Sequence, residues 1–490
     1  MDITRRHMLR AGVGAFGLAA LTPQLRARDA AEVDGIWTGA LQLPQGDGAA
    51  FALRIARAKD GQRVVRLTMP AMHVFDAAIE ALEPLGANRF RLDPFGTVAT
   101  LHGDRLSGEF AYLRVPFALD RVAALPDWKE TAEPSLPDAP APRWTHSLGA
   151  PAWAAPVVRD GLAYLGDAGG TVHALRALDG TTAWTHRHGT PIYGDAAVDP
   201  DGVLFVDERS MLTRLDRRTG HLLWQVALDP AAAGKAPDDF TFTHRTPRPA
   251  IAARVLYVGG RDRSVRAIDL ASGRVLWRCV LDGAVMSGIA VTARHLVAGT
   301  FERNAIVAID RRNGRLAWAF PTAQPVSSMP VVANDVVLAG CRDFGIHGLA
   351  LDTGAPRWVH SYLFSWVESS PAVVGGVAYF GSSDLRSVRA ISIASGRTLF
   401  TTDVRGLTWG TPALAGDRIY AGTAGQKDVL VAHRPGVCAL DRRTGAMLWR
   451  RELPMGDARM AGFASSLAVA GGMLVGATVD GTVLGLPLDA

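Results

Sequence analysis

The residues with the means to do chemistry are not gathered in any short motif. The chain has no C-x-x-C-H for an attached haem, no H-E-x-x-H, no G-x-x-x-x-G-K and no G-x-S-x-G elbow. His186 and His188 form an H-x-H pair at what reads as an exposed strand end. Two imidazoles fall short of the three or four ligands a zinc site needs, so no metal site is assigned. What remains is dispersed. Two carboxylates, Glu368 and Asp195, are the candidates for taking a proton from a substrate. Arg245, Arg342, Arg386, Lys427 and Arg434 are candidates for holding an anion, and Trp153, Tyr193, His244 and Trp409 for covering a small molecule. Residues so far apart in sequence act together only if a repeating fold brings them to one face.

Such a repeat is present. A tryptophan recurs as Trp144, Trp184, Trp224, Trp277, Trp318 and Trp358, Phe400 then takes its place, and Trp449 closes the series. The steps are 40, 40, 53, 41, 40, 42 and 49 residues. A period near 40 that carries four short strand-like runs marks a β-propeller, whose sheets stack around an axis because none can bury its faces alone. In the clearest unit, "ESSPAVVGG", "VAYFGSS" and "SVRAISIASG" each give a strand and a turn, and "RTLF" opens the fourth strand. A D-x-x-T/S/N-G turn precedes the aromatic at Asp216–Gly220, Asp269–Gly273, Asp310–Gly314 and Asp441–Gly445. There the Asp can cap its own turn and the Gly can take the left-handed position. The tryptophans are expected as apolar plates between neighbouring blades.

Three strands follow Trp449 before the chain ends at Ala490, while "PRWTHSLG" around Trp144 has no strands of its own unit before it. Eight blades are therefore expected, the last closed by a strand from each end of the propeller, which leaves no free sheet edge there. Aligning the units puts one residue per blade at the upper mouth of the central channel. That ring reads Trp153, Gly194, Thr246, Met286, Ser327, Glu368, Trp409 and Phe463. One step inward it reads Ala154, Asp195, Pro247, Ser287, Ser328, Ser369, Gly410 and Ala464. The loops between second and third strands crowd the same face with Arg209, Arg261, Arg263, Arg303, Arg342, Arg386 and Lys427. Acidic neighbours such as Asp207, Glu302 and Asp343 would pair with many of them; the remainder would attract anions. Two insertions also fall on this face, in "DPAAAGKAPDDFTFTHRTPR" and "GTAGQKDVLVAHRPG". Long loops on a rigid scaffold usually carry function, which brings in His244, Arg245, Lys427, His433 and Arg434.

From about residue 143 onward the pattern "SSPAVVGGVAYFGSSD…AISIASGRTLF" and its Trp-ending siblings resemble the pyrroloquinoline quinone (PQQ)-like repeat. The resemblance implies one of two things. In eight-bladed quinoprotein alcohol dehydrogenases, PQQ lies in the channel with a metal ion, Ca²⁺, on its carbonyls, and a carboxylate takes the substrate proton. Their ring of adjacent cysteines has no counterpart here, since Cys279, Cys341 and Cys438 are far apart. In cofactor-free propellers, such as the lipoprotein subunit of the outer-membrane barrel-assembly machinery, the surface binds other proteins. The expectation is therefore a non-catalytic binding or scaffold propeller for a periplasmic protein or an envelope component, with a small anionic ligand as a further candidate. The alternative is a PQQ-dependent oxidoreductase with Glu368 or Asp195 as base.

Ahead of the propeller, residues 33–123 alternate apolar and polar positions around Gly and Pro turns and read as a small antiparallel barrel or sandwich with Trp37 in its core. Its "G-x-W-x-G-x-L" opening resembles a lipocalin-like accessory domain. Residues 124–142 are a Pro/Ala-rich linker. Residues 1–30 read as a twin-arginine signal, with Arg5-Arg6 ahead of an apolar stretch too short to span a bilayer. The mature chain is expected in the periplasm. A net charge of +5 with 20% charged residues, part of it in the signal, gives no argument for nucleic acid. No other stretch is long and apolar enough to cross a membrane as a helix. Replacing Arg5 and Arg6 by Lys should leave precursor in the cytoplasm. Cell fractionation checks this, and an unchanged periplasmic yield would refute export by that route.

Overall fold

The computed structural model describes residues 33–41, 48–86, 88–92, 97–110, 115–129, 135–229, 246–427 and 431–488. The chain divides into two compact units, Met1–Pro134 and Ser135–Ala490. The first is a single nine-stranded antiparallel sheet. Its strands are β1 (Gly35–Leu41), β2 (Ala49–Arg57), β3 (Arg63–Met69), β4 (Val74–Ala81), β5 (Glu83–Gly86), β6 (Arg89–Arg91), β7 (Val98–His102), β8 (Arg105–Phe110) and β9 (Val115–Val122). They run in the order β4-β3-β2-β1-β9-β8-β7-β6-β5. The two edge strands, β4 and β5, are consecutive and separated only by Leu82, so the sheet rolls back on itself as a half-barrel. Trp37, Leu41, Phe51, Ile55, Val65, Leu106 and Leu119 fill its inside. The buried Trp37 indole donates to the Val33 carbonyl at 3.0 Å, and the Arg121 guanidinium lies 4.2 Å over its ring.

The second unit is an eight-bladed propeller of four-stranded antiparallel sheets, the seventh extended by Met460–Gly462. In the sixth blade the strands are Ala372–Val374, Val377–Gly381, Ser387–Ser392 and Thr398–Asp403, paired in that order. The first strands of neighbouring blades adjoin around the axis. The second and third strands are buried almost end to end, as in Val336–Gly340 and Ser387–Ser392, while fourth strands such as Leu222–Ala227 alternate exposed and half-buried residues. This follows from stacking. The middle strands are covered on both faces by adjacent blades, whereas the outermost strand meets solvent.

The repeat tryptophans Trp144, Trp184, Trp224, Trp318 and Trp358 each do two things for the next blade. The indole N–H reaches a backbone carbonyl of the next blade, from Trp144 to Ala177 at 3.2 Å, Trp184 to Arg217 at 3.0 Å, Trp318 to Leu351 at 2.8 Å and Trp358 to Ile393 at 2.9 Å. The ring itself packs on the glycine of the turn between the third and fourth strands of the next blade. Gly314 has φ +72°, and a Cβ there would fall 2.5 Å from the Trp277 ring. That glycine is required twice over, by its left-handed backbone and by the plate above it. The Asp of the same turn caps it as the sequence suggests, Asp216 accepting the Thr219 amide and hydroxyl at 2.8 Å each.

Closure is also as the repeat count requires. Trp144–Ser147 pairs with Thr482–Pro487, with Trp144 opposite Gly485 and Ser147 opposite Thr482. Just before this strand, the Ala139 and Pro140 carbonyls accept from Arg451 at 2.9 and 3.0 Å. A chain beginning at residue 139 keeps the closing strand, whereas one beginning at 151 exposes an edge on the eighth blade. The first should melt cooperatively as a soluble propeller, and the second should aggregate or lose its transition. Size-exclusion chromatography and thermal denaturation of the two truncations check this; identical behaviour would refute closure as a stabilising device.

Candidate functional site

The strand pairings fix which residues share a level at the channel mouth. Ala372 pairs Tyr379 in the sixth blade, and Ala197 pairs Leu204 at the same place in the second. Counting back, Glu368 corresponds to Tyr193. In the eighth blade Ala468 pairs Val475, so Glu368 corresponds there to Ala464. Packing agrees: a Cβ on Gly340 would meet Val367, and one on Gly422 would meet Phe463, which makes Phe463 the partner of Val367 rather than of Glu368. The mouth ring is therefore Trp153, Tyr193, Thr246, Met286, Ser327, Glu368, Trp409 and Ala464. The expected Gly194 and Phe463 are each one residue out of step. Asp195 lies a further step down the channel than the sequence alignment had it, level with Arg248, Ser370, Thr411 and Ser466.

That deeper level is a belt of links between blades. Asp195 Oδ1 accepts the Ala155 amide at 2.7 Å, Ser370 Oγ the Met329 amide at 2.9 Å, and Ser466 Oγ the Thr411 amide at 2.9 Å. Asp195 Oδ2 also stands 3.6 Å from Arg248 Nη1. Asp195 thus has a structural task and an ionic partner. Below it the axis holds a cavity of about 270 Å³ lined by Val157, Val198, Ile251, Ile289, Met329 and Arg248 among others.

Glu368 is almost wholly buried, and its Oε1 lies 2.6 Å from Arg342 Nε. The Arg342 guanidinium in turn sits 4.7 Å from the centre of the Trp366 ring. The Trp366 carbonyl accepts from the Ser383 amide, and Ser383 Oγ accepts from the Trp409 indole at 3.1 Å. The second-to-third-strand hairpins of blades five and six and the segments entering blades six and seven so build one cluster. In it, a buried ion pair supports the half-buried rings of Trp366 and Trp409. Trp366 was missed in reading the sequence. The usable signal was that Trp153, Trp366 and Trp409 are the propeller tryptophans outside the 40-residue period. Trp153 and Tyr193 are half-buried too, and burial, reinforced by the Glu208 charge, raises the Tyr193 phenol above its ordinary value.

The loop cations are largely committed locally. Arg386 Nη2 is 2.6 Å from Asp403 and its Nη1 donates to the Ala432 carbonyl at 3.1 Å. Arg263 pairs Glu302 at 2.8 Å, Arg434 pairs Glu452 at 3.3 Å, and Lys427 Nζ donates to the Gly456 carbonyl at 2.7 Å. His244 and Arg245 lie outside the described residues. The thiols are poor nucleophiles: burial pushes Cys438 up to about 11, raises Cys279, and together with the nearby Asp343 charge holds Cys341 well above the usual range. PQQ is a tricarboxylate, and a single guanidinium already 3.6 Å from Asp195 does not match three carboxylates in the axial cavity. The lining described does not fit that cofactor.

A family model described as outer membrane protein assembly factor BamB matches residues 138–263, 261–387 and 384–489. Among curated proteins, outer membrane protein assembly factor BamB of Yersinia pestis is 26% identical over 232 residues, covering 42% of this chain and 56% of that protein. The chain thus spans about half the length of the curated relatives it matches. Among solved structures, the computationally designed Ika8 protein aligns with a TM-score of 0.58 at 16% identity, over 71% of this chain and 99% of that one. A quinohemoprotein alcohol dehydrogenase of Pseudomonas putida aligns with a TM-score of 0.55 at 14% identity, over 71% and 76%. At such identities the structural likeness is one of fold.

Arg342→Ala removes the buried ion-pair partner of Glu368 and should cost about 3–5 kcal/mol. Arg263→Ala breaks an exposed pair and should cost about 0–1 kcal/mol. Urea denaturation of the two variants checks the contrast; equal costs would show that Glu368 is not held by Arg342.

Proposed function

The chain belongs to the outer membrane protein assembly factor BamB family, and from that premise we infer that it is a non-catalytic propeller of the cell envelope. It is exported to the periplasm and offers its upper face to a protein that takes part in outer membrane protein assembly. The observation that carries the reading is the aromatic cluster of Trp366 and Trp409 over the Arg342–Glu368 pair. Half-buried tryptophans on a rigid base are the kind of group that anchors protein interfaces, because they bury large area with little entropy left to lose. The carboxylate best placed for catalysis is already engaged by an arginine, and Asp195 ties two blades together. Both facts support binding over turnover. The export step rests on Arg5-Arg6 and the short apolar stretch after them, which lie outside the described residues.

In a strain lacking the chromosomal copy, the wild-type chain should restore the level of outer-membrane β-barrel proteins. Trp366→Ala and Trp409→Ala should restore it poorly, since an interface anchor costs about 2 kcal/mol or more, roughly 30-fold in affinity. Arg442→Ala, on the opposite face, should behave as wild type. Immunoblots of outer-membrane fractions read the result. Full rescue by the tryptophan variants with failure of Arg442→Ala would place the working face on the other side. Dye-linked alcohol oxidation by the purified protein with PQQ and Ca²⁺ would overturn the non-catalytic reading.

A further inference from the structure

The hairpin that carries Arg342 holds a second group of side chains that the binding reading does not use. Cys341, Asp343 and His347 each turn a donor atom to a common spot, and the three atoms lie within 4.8 Å of one another. Cys341 is wholly buried, and His347 is 6% exposed. His347 Nε2 is 3.0 Å from Asp343 Oδ2, Asp343 Oδ1 accepts the Gly345 amide at 3.1 Å, and the Asp343 amide points at Cys341 Sγ at 3.4 Å. The other imidazole nitrogen, His347 Nδ1, is buried without a hydrogen-bond partner. The equivalent His173 of blade one leaves its Nδ1 in the same state, so this feature belongs to the repeat and not to blade five. Gly345 keeps the space beside the group open, because a Cβ there would come within 3.0 Å of Asp343 Oδ1 and 3.4 Å of His347 Nε2.

Comparison with the sister blades separates what is structural here from what is added. A carboxylate in this hairpin paired to a third-strand residue recurs as Asp167 with His173 at 2.8 Å and Asp262 with Arg266 at 2.5 Å. The Asp343–His347 contact alone is therefore explained by the repeat. The thiol is not. The residues equivalent to Cys341 are Asp167, Asp207 and Gly260 in the first three blades and Thr300, Ser382, Thr423 and Thr478 in the others. The carboxylates and hydroxyls among them bond back to their own hairpins, as Asp167, Thr300 and Ser382 do with the amides of Thr171, Ala305 and Ser387 at 2.8, 2.9 and 2.9 Å. Cys341 instead points its sulfur at the Gln324 carbonyl, 3.1 Å away, and stands beside the carboxylate and imidazole. Blade five alone, among the described residues, thus brings S, O and N donors together.

We propose that Cys341, Asp343 and His347 are the protein ligands of a site for a borderline-soft divalent transition ion of the zinc class, with water as the fourth ligand. A tetrahedral ion with bonds of about 2.0–2.3 Å sets its ligands roughly 3.3–3.8 Å apart, so the observed spread closes by small side-chain rotations. The charges also balance. A thiolate, a carboxylate and a neutral imidazole around a dication sum to zero, which suits a buried position. Binding releases the thiol proton to solvent and replaces the thiol's contacts to the Gln324 and Pro325 carbonyls and the His347–Asp343 hydrogen bond. Softer thiolate and imidazole donors disfavour Ca²⁺ and Mg²⁺, which take oxygen ligands. The ion would brace the hairpin next to the Arg342–Glu368 pair.

The test uses the mature chain, stripped with chelator, reduced with a phosphine and titrated with Co²⁺. The expected result is saturation at one equivalent with a thiolate-to-cobalt charge-transfer band in the near ultraviolet, abolished by adding Zn²⁺. Cys341→Ser should fold, since serine and threonine fill the same place in sister blades, and circular dichroism melting confirms it. It should lose the band and weaken Zn²⁺ binding by more than the roughly 100-fold that removing an outer-shell partner costs. Asp343→Asn should weaken binding while keeping the band, and Cys279→Ala should titrate as wild type. No saturable cobalt band in the wild-type protein would overturn the site, as would a Cys341→Ser titration matching the wild type.

Discussion

The propeller depends on one repeated interaction, the indole plate of one blade lying on the turn glycine of the next. A single sheet of four short strands has two apolar faces and no way to bury both. The tryptophan converts that liability into a directional joint. Its ring covers a turn where no Cβ fits, and its N–H finds a carbonyl at a fixed distance, as with Trp318 and Leu351 at 2.8 Å. The ring and the glycine belong to adjacent repeats, so neither has value unless the other is present. This explains why Phe400 can replace a tryptophan: Gly445 still packs on its ring, and only the N–H bond is given up.

A second set of links works at the other end of each blade, around the axis. Here the strands converge and side chains are small, and the joints are polar. Asp195, Ser370 and Ser466 each take a backbone amide of the blade before them. Ser369 and Ser465 donate across two further seams, to the Gly410 and Ala154 carbonyls of the blades after them at 3.1 and 3.4 Å. Polar groups are affordable in the interior only where they are satisfied, and the converging backbones supply the partners. The consequence for function is a rigid collar. Side chains one level higher, among them Trp153, Tyr193, Glu368 and Trp409, are mounted on a frame with little freedom to move.

Rigidity of that kind favours recognition over chemistry. The two candidate carboxylates of this face are engaged, Glu368 by Arg342 and Asp195 by the Ala155 amide and Arg248. An interface anchor needs an exposed aromatic edge with a fixed base. Arg342 provides such a base, with Glu368 on one side and Trp366 on the other.

The sequence by itself determined the blade count and the closure. A period near 40, the D-x-x-x-G turns and the unpaired strand around Trp144 are local signals, each set by chain length and turn chemistry, and they survive without tertiary information. It also placed Glu368, Trp153 and Trp409 at the mouth. It slipped by one residue at Gly194 and Phe463, where strand pairing and packing, not spacing, fix the register. Which charges cancel was a tertiary matter as well. Glu368 lies 26 residues from Arg342, and a carboxylate between Val367 and Ser369 reads the same in sequence whether paired, wet or poised for catalysis. The convergence of Cys341, Asp343 and His347 was hidden for a related reason. Their C-x-D-x-x-x-H spacing crosses a hairpin turn, and whether thiol, carboxylate and imidazole end on one side of the sheet is decided by the turn's geometry and by the neighbouring blade that buries them.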